Sequence, residues 1–292
     1  MATPVTEAVR KNPDASGLAV IISNDYNTTP GLENLTGTVK DGEKINSAFQ
    51  FLKFATILQL NVTRGKLMQI LRDISQYPGY PRSYKCIAFV FSGHRLDANQ
   101  LYTQDSQLIK VWDIVETLLP KQARQIGNIP KLFFINACCG NRKLSEEAIV
   151  VPQHGSSSGR VQETLQKGGF DATLYILPEG NFLIAYSTMP NYQSYELKGE
   201  GGIWMTSLAE KLRTSSESIQ NILSKTNRDL MEMFQSPDFR QSMMQPEYIS
   251  RLHGSLYLQP EGSARGKKSI HTSVPSMIQG FYGSSQSQKP EL

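Results

Sequence analysis

Apolar residues fall along the chain in runs that are either strand-sized or spaced for one face of a helix. The first run is Leu18-Ala-Val-Ile-Ile-Ser23, continuous in the way a strand buried on both faces requires. It stops at Asn24-Asp25-Tyr26-Asn27 and a Gly/Thr-rich stretch reaching Lys40, which predicts a loop. From Asp41 the spacing turns helical, with Ile45, Ala48, Phe49 and Leu52 on one face. A strand is expected over 55–60, then a helix capped by Thr63 that turns Leu67, Ile70, Leu71 and Ile74 inward. The run Cys86-Ile-Ala-Phe-Val-Phe91 predicts a strand leading into Ser92-Gly93-His94. Two short strands around Gln104-Asp105-Ser106, a helix near 111–119 and the strand Leu132-Phe-Phe-Ile135 follow. That last strand runs into Asn136-Ala137-Cys138-Cys139-Gly140.

Strands and helices alternate through this half, so a mainly parallel sheet covered by helices on both faces is expected. Residues 141–181, rich in Ser, Gly, Gln and charge, break the rhythm and read as a flexible linker. Order resumes with the strand Phe182-Leu-Ile-Ala-Tyr186 and a helix over 203–212. A long helix follows, opened by the capping box Thr214-Ser-Ser-Glu217, with Ile219, Ile222, Leu223, Leu230 and Phe234 inward. A final strand is expected over Ser255–Leu258. The expected organisation is a loose tail at 1–16, a large βα region at 17–140, the linker at 141–181, a smaller region at 182–261 and a disordered polar tail at 262–292. The smaller region has too few strands for a core of its own, so it should complete the same sheet.

Composition narrows the function classes. The 292 residues are 39% hydrophobic and 19% charged, as in ordinary globular proteins. A net charge of +4 without a basic, aromatic-studded stripe gives no footprint for nucleic acid. No apolar run approaches a membrane span, and the N-terminus lacks the apolar core of a signal peptide. Three cysteines, two of them adjacent, make no disulfide framework, so a reducing, cytoplasmic compartment is expected.

Two parallel strands ending in reactive residues are the main chemical signal, because α/β sheets gather their sites beyond the C-terminal strand ends. His94 and Cys138 each follow a strand by three positions, which predicts an imidazole and a thiol facing one another across neighbouring strands. The nucleophile is the thiolate, and an imidazole can take its proton and later give it to a leaving amine. Gly93 and Gly140 read as turn residues that leave backbone N–H groups to hold an oxyanion. On residue type alone, a strand-end cysteine serves equally as a small core residue, and a lone histidine as a structural group. Zinc held by His94, Cys138, Cys139 and His154 would need four converging ligands at spacings that match no known finger, so no metal or cofactor is expected.

At these residues the sequence resembles the caspase family, whose cysteine motif Q-A-C-[RQG]-G stands here as Asn136-Ala137-Cys138-Cys139-Gly140, with Ser92-Gly93-His94-Arg95 as the histidine motif. Pro130-Lys-Leu-Phe-Phe-Ile-Asn-Ala-Cys138, Phe182-Leu-Ile-Ala-Tyr-Ser-Thr-Met-Pro190, Ser194-Tyr195 and Ser207-Leu208 extend the likeness over about Gly17 to Pro260. The resemblance implies a three-layer α/β/α sandwich around a mostly parallel six-stranded sheet. It implies Cys138 as nucleophile, His94 as acid and base, and the backbone N–H groups of Cys138 and Arg95 as oxyanion donors. It also implies large- and small-subunit regions joined by an activation linker at 141–181, and a homodimer through the last strand or a heterodimer with other caspases. With no recruitment segment ahead of the protease region, a short, effector-type form and apoptosis-type proteolysis are the expectation.

The likeness fails at the residues that would recognise an aspartate P1. The two arginine positions hold Leu35 and Glu196, the glutamine position holds Asn136, and Ser194-Tyr195-Glu196 replaces Ser-Trp-Arg. A P1 carboxylate against Glu196 with neither guanidinium would be a costly like-charge pair. Either the pocket takes a basic P1 residue, or the chain is an inactive homologue that regulates active relatives as a decoy dimer partner. Processing candidates in the linker are Asp171, Arg160 and Lys167. Arg95 replaces the family's glycine, so it either strains the loop or lowers the thiol pKa, and Cys139 replaces an arginine.

Overall fold

The computed structural model describes residues 2–97, 99–139, 180–188, 196–197, 201–234 and 244–259. In chain order these form α1 (Pro4–Lys11), β1 (Gly17–Ser23), α2 (Gly37–Phe51), β2 (Ala55–Leu60), α3 (Arg64–Gln76) and β3 (Cys86–Arg95). Then come β4 (Gln100–Tyr102), β5 (Leu108–Lys110), α4 (Val111–Thr117), a 3-10 turn at Arg124–Ile126 and β6 (Lys131–Cys139). The remainder supplies β7 (Phe182–Tyr186), β8 (Glu196–Leu197), β9 (Gly201–Gly202), α5 (Ile203–Thr214), α6 (Ile219–Phe234) and β10 (Glu247–Ser250).

The central sheet has the strand order β10-β7-β6-β3-β1-β2, with the β4–β5 hairpin attached to the end of β3. Within that order all neighbours pair in parallel except β10, which runs antiparallel to β7, while β4 pairs antiparallel with β3 and with β5. The pleat sends alternate residues to opposite faces. Phe89, Phe91, Phe133 and Ile135 join Leu67, Ile70 and Ile114 beneath α1, α3 and α4. Ala88, Val90, Leu132 and Phe134 join Phe49, Trp204 and Leu223 beneath α2, α5 and α6. The molecule is thus a helix–sheet–helix sandwich, as the resemblance implies, and β7 and β10 complete the sheet begun by β1 to β6.

Several elements differ from expectation. The stretch expected to be loose carries α1, opened by Thr3, whose side chain accepts from the Thr6 N–H, and anchored by Val5 and Val9, 0% and 4% exposed. Two apolar residues in a polar octapeptide were too faint a signal. Helix α2 starts at Gly37, four residues before the helical spacing, where the Thr38 hydroxyl bonds the carbonyls of Asn24 and Leu35. The Thr214 capping box does not form: Thr214 ends α5 with its hydroxyl on the Glu210 carbonyl, and Ser218 Oγ accepts from Asn221 N–H as α6 begins. The last strand is Glu247–Ser250, while Ser255–Leu258 contributes only an isolated bridge from Tyr257 to Ser218. Among the described residues no helix is long and apolar enough to cross a membrane.

Candidate active site

Strands β3 and β6 run further than their apolar cores, to Arg95 and Cys139, so the reactive residues lie in ladder positions. In that ladder His94 and Cys138 are Cα partners on adjacent parallel strands, about 4.8 Å apart by the spacing of such pairs. Two residues back along the ladder, Ser23, Ser92 and Asn136 are partners across β1, β3 and β6.

The loop after β1 wraps this corner and is tied down at many points. Asn24 N–H donates to the Ser92 carbonyl, its side-chain oxygen accepts from Val62 N–H at 2.8 Å, and Leu35 N–H donates to the Asp25 carbonyl at 2.8 Å. The loop thereby carries the Glu33 carbonyl to 2.7 Å from His94 Nε2. A carbonyl only accepts, so Nε2 donates to it, and in the neutral ring Nδ1 carries the lone pair. The same loop places Tyr26 with its ring centroid 4.8 Å from the imidazole.

Gly93 is not a turn residue. It pairs with Ala137 inside β3, and a Cβ there would lie 2.5 Å from the Tyr26 hydroxyl. Arg95 is not strained either, since its φ is not positive. The next residue after His94 on a pleated strand, it is 4% exposed and donates from Nη2 to the Thr188 carbonyl at 3.0 Å. Burial raises the Glu247 pKa, opposed by the charge of Arg95, which marks these two as electrostatic neighbours. The strand continues through Arg95 with ladders to Leu101 and Cys139.

On the α2 face lies a carboxylate that pattern reading took only for the start of a helix. Asp41, 2% exposed, accepts from Asn136 Nδ2 at 2.8 Å and from the Gly202 N–H at 2.7 Å. Gly202 is the register partner of Glu196 in the β8–β9 pair, so the Glu196 backbone lies one strand spacing from the residue whose N–H binds this acid. Leu35, half-buried, sits two residues beyond Glu33. The structure therefore gathers Leu35, His94, Arg95, Asn136, Cys138 and the Glu196 backbone at one end of the sheet. Ser194, Tyr195, Arg160, Lys167, Asp171, Gly140, His154, linker residues 141–179 and the C-terminal tail lie outside the described residues. Tyr26, Asp41 and the Glu33 carbonyl were missed. The last acts through its backbone and has no sequence signal, and Tyr26 showed only as an aromatic in a polar loop. Among the described residues no group of three His, Cys, Asp or Glu side chains could hold a metal ion.

Residues 16–257 match the family model described as the caspase domain. The chain belongs to the caspase family. It is 28% identical to Caspase-10 of Homo sapiens over 218 residues, covering 74% of this chain and 39% of that protein. Against Caspase-1 of Drosophila melanogaster it is 28% identical over 232 residues, 75% of this chain and 64% of the relative. With Caspase-3 of Oryctolagus cuniculus it shares 25% identity over 249 residues, 82% and 83% of the two chains. The chain thus spans less than two thirds of the length of the first two of these relatives. A caspase domain is a cysteine peptidase domain. Within it, Arg95 and Cys139 are register partners at the ends of β3 and β6.

Proposed function

We propose that this protein is a cysteine endopeptidase with Cys138 as nucleophile and His94 as acid and base, cutting after a basic P1 residue. One observation carries the reading: His94 and Cys138 are ladder partners while the Glu33 carbonyl engages Nε2, leaving Nδ1 for the thiol. Nδ1 takes the thiol proton, and Sγ attacks the scissile carbonyl carbon. Backbone N–H groups of Cys138 and Arg95 receive the oxyanion. The imidazolium then protonates the departing amine, leaving a thioester that water hydrolyses with the imidazole as base.

The P1 assignment is supported by charge. Leu35 and Glu196 stand where arginines would meet an aspartate, and the buried Asp41 carboxylate adjoins Asn136. A P1 carboxylate brought beside these acids would be repelled, whereas a guanidinium or ammonium would be paired. Peptides differing only at P1 test it. Arg or Lys substrates are expected to be cleaved at least about tenfold faster than Asp ones, an energy difference of about 1.4 kcal/mol. Cys138→Ala should abolish both. Intact protein should clip itself after Arg160 or Lys167, and cleavage after Asp171 would refute the basic pocket. Dimerisation through β10, the antiparallel edge strand, is part of the proposal. The loss of both arginines also favours a second reading, a non-cutting partner of active caspases. A Cys138 that ignores peptidyl thiol probes would select it.

A further inference from the structure

We infer that Tyr26 is the positioning residue of the His94 imidazole, an inference that rests on the His94–Cys138 reading above. Tyr26 is 1% exposed and holds a left-handed backbone, φ 59°, three residues past β1. A bulky residue persists in that region only where its surroundings over-determine it. Here they do. Tyr26 N–H donates to Gln104 Oε1 at 3.3 Å, its hydroxyl donates to the Tyr102 carbonyl at 2.6 Å, and the same oxygen accepts the His94 N–H at 3.0 Å.

The ring completes the arrangement, lying against the imidazole at a tilt of 40°. The place a Cβ on residue 93 would take lies 2.5 Å from the Tyr26 oxygen, so glycine there leaves the hydroxyl its room. Burial, the largest influence, pushes the phenol up to about 12, so the hydroxyl keeps the proton it donates to Tyr102. His94 is held by its N–H, by its ring face and by Nε2, two of these through Tyr26 and the third through Glu33 of the same loop. Only Nδ1 is left for the thiol. Such fixing matters because misplacement of a reacting group by about 1 Å can cost about a hundredfold in rate.

The test follows alkylation of Cys138 by iodoacetamide against pH, in a Cys139→Ala background and with mass-spectrometric mapping, which needs no peptide cleavage. The intact protein should react faster than His94→Ala at pH 6, through the imidazolium–thiolate pair. Tyr26→Phe, which keeps the ring and loses the hydroxyl, should lower that rate about tenfold and shift the inflection toward an ordinary thiol. Gly93→Ala should do the same, because its methyl and the hydroxyl claim one space, and should add little once Tyr26 is Phe. A Tyr26→Phe profile identical to the parent, or losses that simply add, overturns the inference and leaves the dyad standing. A parent indistinguishable from His94→Ala overturns both. Should Tyr26→Phe not fold, Gly93→Ala with the native tyrosine still decides: an unchanged profile overturns the inference.

Discussion

At the scale of single residues, the group that decides most is Asp41. Its carboxylate joins three pieces of chain distant in sequence: α2, the end of β6 through Asn136, and β9 through the Gly202 N–H. Hydrogen bonds to a buried charge contribute more than neutral ones, and their loss strands the partners without water. Asp41→Ala should therefore lower the unfolding free energy by about 3 kcal/mol, read as a fall in urea midpoint. The neighbouring backbone is shaped to this acid. Gly201 has φ 92°, and a Cβ there would lie 2.5 Å from Asp41 Oδ1. Lys131 shows the same economy of buried charge: fully buried, it donates from Nζ to the carbonyls of Ile126 and Gly127, closing the 3-10 turn. The Asp41 role does not show in the sequence, because its partners Asn136 and Gly202 lie 95 and 161 residues away.

At the scale of elements, legibility followed the strength of the local apolar signal. The strand Phe182–Tyr186 has the residues expected, and Thr63 caps α3 by accepting from Lys66 N–H while Leu67, Ile70, Leu71 and Ile74 turn inward, 0–1% exposed. Strand ends were illegible where polar residues prolong a ladder, as in Ser92–Arg95, since pairing with β6 and not side-chain type extends β3. The edge strand Glu247–Ser250 escaped notice for a related reason: four residues with polar ends pair with β7 on one side alone. That His94 and Cys138 would be partners was legible because each follows its apolar run by the same count, whereas Tyr26 and Glu33 were not, because they reach His94 from a loop. Helix α1 offers a check on this division between support and site. It packs on β2 and α3 through Val5 and Val9, on the sheet face opposite α2. Deleting residues 2–11 should lower the melting temperature by about 5 °C while leaving the pH profile of Cys138 alkylation unchanged. A shift of that profile would show that the helix supports the site after all.

At the scale of the whole molecule, the topology places the second segment of the chain inside the sheet and not beside it. Strand β7 lies between β6 and β10, pairing with Lys131–Ile135 on one side and Glu247–Ser250 on the other. Phe182, Leu183, Ile184 and Ala185 are all 0% exposed, shared between the two cores. Helices α5 and α6 then cover the α2 face through Trp204, Leu208 and Leu223. Removing the segment from 182 onward would leave β6 as a long apolar edge and uncover Phe134, a hazard for edge-to-edge association. Residues 1–160 and 161–292 produced together as separate chains should therefore assemble into one particle that elutes as a unit and comes apart only in denaturant. Residues 1–160 produced alone should aggregate. If the two pieces instead elute separately and each stays soluble, burial across the β6–β7 ladder is not what holds the segments together. The proposed self-cleavage within 141–181 would then release fragments instead of a nicked, intact domain.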